Sequence, residues 1–65
     1  MQVTINNKIA EVKASTVQEL HAELALPQKG VAIAIANKMV PRTEWASTLL
    51  KENDNIVVIK AAFGG

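Results

Sequence analysis

The sequence contains no cysteine and no tyrosine. It has a single histidine, a single tryptophan and a single phenylalanine among 65 residues. Without cysteine, disulfide staples, cysteine–zinc sites and a cysteine nucleophile are excluded. A lone histidine, His21, excludes a multi-histidine metal centre within the chain. Charge of one sign is also missing: seven Lys and Arg oppose six Asp and Glu, for a net charge of +1. The charges are scattered, and no aromatic series is interleaved with them, so the footprint of a nucleic-acid-binding protein is absent. No apolar run approaches the ~20 residues of a membrane helix. The start, Met1-Gln2-Val3-Thr4-Ile5-Asn6, lacks the basic and apolar regions of a signal peptide, and the expectation is a cytoplasmic protein that binds neither nucleic acid nor membrane.

What is present is aliphatic. Hydrophobic residues make up 49% of the chain and aromatics only 3%, so the core must be packed from Ala, Val, Ile and Leu. A chain this short buries only about 60% of its unfolded surface. Ordering it costs on the order of 100 kcal/mol in conformational entropy, to be met by packing and backbone pairing alone. A sheet with one covering helix is the economical answer.

The patterning supports this. Val3 and Ile5 alternate with Gln2 and Thr4, the period-two signature of a strand with one buried face. Asn6-Asn7 is hairpin-turn chemistry, and the run from Lys8 to Lys13 reads as a second strand near an edge. Thr16 followed by Glu19 forms a capping box. Val17, Leu20 and Leu24 then share a helical face, and Pro27 and Gly30 are expected to end the helix. His21 sits beside that stripe and reads as a boundary residue, because no second titratable group is placed to work with it.

Val31 to Ala36 is the cleanest strand. Val31, Ile33 and Ile35 are expected to face the core and Ala32, Ala34 and Ala36 the other side. Asn37-Lys38 reads as a turn, and Met39-Val40 as a short edge strand stopped by Pro41. Arg42 to Leu50, with Trp45, Leu49 and Leu50, is expected to close the bottom of the core. Trp45 reads as an anchor there. Arg42 is left open between an ion pair with a partner and a loop cap. Lys51 to Asn55 is a polar turn. Ile56-Val57-Val58-Ile59 reads as a central strand, with Ile56 and Val58 inward and Val57 and Ile59 outward.

Hairpin, helix, strand, short strand, loop and central strand together give an α+β fold of the ubiquitin-like β-grasp type. It has a mixed sheet of four to five strands on one helix, the last strand lying parallel to the first. Residues 1–60 form the domain and residues 61–65 a flexible tail. The open sheet face would carry Ala32, Ala34, Val57 and Ile59, and an exposed apolar patch of this kind marks an interaction site. Read locally, the alanines are equally consistent with a half-exposed sheet that merely tolerates them.

A β-grasp order that ends in Gly64-Gly65 resembles the ubiquitin-like sulfur carriers, and within them the ThiS-type carriers of thiamine biosynthesis. The matching segments are Ala34-Ile35-Ala36-Asn37, Val40-Pro41-Arg42 followed by Trp45, Asp54 before the last strand, and the terminal diglycine. Together they cover essentially the whole chain. The resemblance implies a protein co-substrate, not an enzyme, with no cofactor of its own. An adenylating (E1-like) enzyme, using ATP and magnesium, activates the carboxylate of Gly65. A persulfide donor converts it to a thiocarboxylate, which gives its sulfur to thiazole synthase. Gly64, Phe63 and Ala62 would thread into the partner sites, and Phe63 either fills a partner pocket or packs back on the sheet edge. Two alternatives stand beside this. One is the related carrier of molybdopterin synthesis, whose chains are usually longer. The other is a ubiquitin-like binding module or protein modifier.

Overall fold

The computed structural model describes residues 1–60. The sequence expectations placed on Ala62, Phe63, Gly64 and Gly65 lie outside the described residues.

The described residues form five strands and one α-helix: β1 (Gln2–Ile5), β2 (Lys8–Glu11), α1 (Val17–Glu23), β3 (Val31–Ile35), β4 (Lys38–Met39) and β5 (Asn55–Lys60), with a 3₁₀ turn at Arg42–Glu44. The strand order is β2-β1-β5-β3-β4. β5 is central, parallel to β1 and antiparallel to β3, while the two hairpins place β2 and β4 at the edges. This is the β-grasp expected from the element order.

The first hairpin follows from its turn. Asn6 and Asn7 both adopt left-handed backbone, with φ of 51° and 68°. A two-residue turn of that hand matches the twist of the flanking strands, and Asn tolerates it. The second hairpin turns on Ala36 and Asn37, at φ 52° and 67°. The expected turn at Asn37-Lys38 is therefore one residue too late. Ala36 lies in the turn and not on a strand face, because Lys38 and Met39 pair directly with Ile35 and Ala34.

At the helix start, the Glu19 N–H donates to Thr16 Oγ1 at 3.1 Å. The Glu19 carboxylate accepts from the Ser15 N–H at 2.7 Å, one residue before the cap, so the box closes on Ser15. The helix ends earlier than Pro27 and Gly30 suggest. Ala25 takes φ 53°, its N–H bonds the Ala22 carbonyl, and the Leu26 N–H bonds the His21 carbonyl at 3.2 Å. These two bonds make a Schellman cap with alanine where glycine is usual. The Glu23 carboxylate then ties the helix end to the incoming chain through the N–H groups of Lys13 and Ala14.

Val17 and Leu20 of α1 are fully buried with Val3, Ile33 and Ile56 of the three inner strands, and Val12, Ala14, Trp45, Leu50 and Val58 complete the core. The loop from Trp45 to Leu50 closes its base. Trp45 Nε1–H donates to the Val40 carbonyl at 2.9 Å, and backbone bonds run from Val17 to Thr48, Gln18 to Trp45 and Leu50 to Ser15. Leu49 points outward, 68% exposed. Its neighbour Leu50 fills the core instead, since residue 49 pairs with Thr16 and adjacent side chains on extended backbone point to opposite sides.

Candidate docking face and the end of the central strand

The helix covers one side of the sheet and leaves the other open. The ladder fixes which residues share that open face. Ala32 stands opposite Ile59, Ala34 opposite both Val57 and Met39, and Thr4 opposite Ile9. All four residues expected there, Ala32, Ala34, Val57 and Ile59, are brought together as two cross-strand pairs on β3 and β5.

Their exposure differs. Ile59 is 48% exposed and Val57 and Ala32 are half-buried, whereas Ala34 is buried between the larger side chains of Val57 and Met39. The two most exposed apolar residues on this face are Ile9 (73%) and Met39 (59%), which the sequence reading did not assign to it. Both positions follow from the turns. A two-residue turn at Asn6-Asn7 sets Ile9 opposite Thr4, and one at Ala36-Asn37 sets Met39 opposite Ala34. The face is therefore a band of separated apolar side chains, Ile9 on one edge strand, Ile59 on the central strand and Met39 on the other edge.

β5 is the central strand of this face. Its five pairs with β3 run to Val31↔Lys60, so its last described residue is still held by a neighbour. At its start, the Asp54 carboxylate accepts from the Lys51 N–H at 2.8 Å and closes the preceding turn, with Asn53 at φ 68°.

The remaining sequence-flagged residues lie on the helix side. His21 is buried. Its Nε2 lies 2.8 Å from the Pro27 carbonyl, which only accepts, so Nε2 carries the proton. The His21 ring sits 5.2 Å from that of Trp45, and the Arg42 guanidinium lies 4.7 Å from the Trp45 ring centre. Arg42 thus packs as a cation over an aromatic face. These three residues line a groove of about 410 Å³ with Gln18, Glu19, Ala22, Ala25, Leu26 and Gln28. His21 is a structural residue buried in the helix–loop junction, deeper than the boundary position expected of it.

Among the described residues, no three of His, Asp and Glu lie together in a way that would hold a metal. Nor, among the described residues, is any helix long and apolar enough to cross a membrane.

Comparison with known proteins places this geometry. The ThiS family model matches residues 3–65. The sulfur carrier protein ThiS of Escherichia coli (strain K12) is 35% identical over 66 residues, covering all of both chains. The crystal structure of the thiamine biosynthesis protein ThiS from Geobacter metallireducens superposes with a TM-score of 0.84 at 25% identity, again over all of both chains. The solution structure of a thiamine biosynthesis protein from the same organism gives 0.82, covering all of this chain and 88% of that one.

Proposed function

Because the chain belongs to the ThiS family, we propose that it is a sulfur carrier for assembly of the thiamine thiazole and that Gly65 is the residue that carries the sulfur. The observation that supports this most strongly is the full-length match to a ThiS sulfur carrier, joined to a sequence that places Gly64-Gly65 shortly after the central strand.

The chemistry asks little of the chain itself. An oxygen of the Gly65 carboxylate attacks the α-phosphorus of ATP in the activating enzyme. Pyrophosphate leaves, and an acyl-adenylate forms. The terminal sulfur of a persulfide attacks the acyl carbon and AMP departs. Cleavage of the sulfur–sulfur bond by a thiol frees the thiocarboxylate, which delivers its sulfur to thiazole synthase. ATP and magnesium belong to the activating partner. Each step takes place at the terminal carboxyl group inside another protein's site, and the persulfide step is an attack on the carbonyl carbon itself. Glycine has no Cβ to crowd that approach, and its backbone adapts to a narrow channel. Ala62 and Phe63 precede it into the same sites.

The open sheet face is the recognition surface in this reading. Ile59, Val57 and Ala32, with Ile9 and Met39 at the edges, offer partners an apolar footing next to the strand from which residues 61–65 continue. Recognition by a face and reaction at a terminus are thereby separated within one small domain.

The experiment that tests the pathway supplies the thiocarboxylate form of the chain to thiazole synthase and, separately, to the large subunit of molybdopterin synthase. Consumption of the thiocarboxylate by thiazole synthase alone is the expected result. Consumption only by the molybdopterin enzyme would transfer the protein to that pathway.

A further inference from the structure

Asn6 does more than turn the first hairpin. β1 pairs with β5 through Thr4↔Asn55 and Ile5↔Ile56, and the last backbone bond on that side runs from the Asn6 N–H to the Ile56 carbonyl at 2.9 Å. The hairpin then folds back, while β5 continues through Val57, Val58, Ile59 and Lys60. On this edge the N–H and C=O of Val58 have no strand opposite them. The Asn6 carboxamide satisfies both. Its Oδ1 accepts from the Val58 N–H at 2.8 Å, and its Nδ2 donates to the Val58 carbonyl at 3.2 Å, across 52 positions of sequence. A primary amide offers one face of donor and acceptor, as a peptide unit does. The side chain therefore acts as one further residue of β1.

We infer that Asn6 is a positioning residue for handover of the terminal carboxylate, holding the end of β5 so that the chain leaves the sheet from one point in one direction. The inference rests on the sulfur-carrier reading. Its physical basis is placement. Gly65 lies five positions beyond Lys60. The bearing of β5 at Lys60 sets where the residues that follow begin, and reacting groups tolerate a misplacement of only about 1 Å. Without the Asn6 side chain β5 still keeps its five pairs with β3 on the other edge.

The test uses the full chain with its activating enzyme, ATP and a persulfide donor, and measures kcat and KM for the carrier in thiocarboxylate formation. Asn6→Gly keeps the left-handed turn and removes the carboxamide. It should lower kcat roughly five- to tenfold while KM stays within about twofold, since the docking face is untouched. Asn6→Asp keeps an acceptor for the Val58 N–H but sets a carboxylate oxygen against the Val58 carbonyl, so its kcat should fall below that of the glycine variant. Asn7→Gly, in the same turn with no bond to β5, should behave as wild type. Amide exchange at Val58 should quicken in both Asn6 variants. A purely structural role would dilute the folded carrier, raising KM and sparing kcat, and that result would overturn the inference, as would unchanged kcat and unchanged Val58 exchange. If the wild-type chain gains no sulfur from an enzyme competent on another carrier, the sulfur-carrier reading itself fails, and the handover role with it.

Discussion

Replacing Ala25 by glycine should stabilise this protein, although the same replacement three residues earlier should destabilise it. Ala25 is exposed and holds φ 53° at the Schellman cap of α1. Left-handed backbone brings a Cβ too close to the following carbonyl and costs an L-residue about 1–2 kcal/mol. Glycine removes that cost, but its freer unfolded chain returns about 0.4–1 kcal/mol of it. The net gain is about 0.5–1 kcal/mol, which in a domain of this size raises Tm by roughly 2–8 °C. Ala22 is equally exposed but sits inside the helix, Val17–Glu23, where glycine costs about 0.8–1 kcal/mol relative to alanine. Thermal melts followed by circular dichroism at 222 nm (the helix band, about 1 nm bandwidth) compare the two variants directly. Shifts of opposite sign are expected. A Tm for Ala25→Gly at or below wild type would refute the account of how this helix ends.

Other outcomes follow from the same geometry. Ala36→Asn should recreate the Asn-Asn turn of the first hairpin and raise stability by about 0.5 kcal/mol, read from the urea midpoint. Trp45→Phe strips the Val40 carbonyl of its Nε1–H donor and shrinks a buried ring, so it should cost about 2 kcal/mol in the same titration. Ile59→Glu should leave Tm nearly unchanged, because the side chain is half exposed, yet weaken binding to the activating enzyme about tenfold or more by calorimetry. Tight binding by that variant would remove Ile59 from the docking face.

Much of the fold is legible in the sequence because each signal is local. Val3 and Ile5 alternate with polar neighbours, Thr16 and Glu19 sit at capping distance, and Ile56 to Ile59 is a continuous apolar run that suits a central strand. The illegible parts have specific causes. The helix end and the second turn depend on left-handed backbone at Ala25 and Ala36, residues that do not advertise it as Gly or Asn would. Ile9 and Met39 reach the open face only through the register that two turns impose, and Ala34 is covered only because Val57 and Met39 flank it. The bond between Asn6 and Val58 joins residues 52 positions apart, beyond any local pattern. For the site, the sequence named the four residues of β3 and β5 that share the open face, and the diglycine came from resemblance to a family rather than from periodicity.

The central claim is that sulfur rides on the carboxylate of Gly65. The chain has no cysteine to hold it elsewhere. The most direct measurement is intact and fragment mass spectrometry of the chain after incubation with the activating enzyme, ATP and a persulfide donor. The account predicts a gain equal to the exchange of one oxygen for sulfur, localised to Gly65 and absent from a Gly65→Val variant that melts at the wild-type temperature. An unchanged mass with a competent enzyme, or sulfur localised to any position other than the carboxylate of Gly65, would contradict it, whereas sulfur gained equally by Gly65→Val would overturn only the steric argument for glycine.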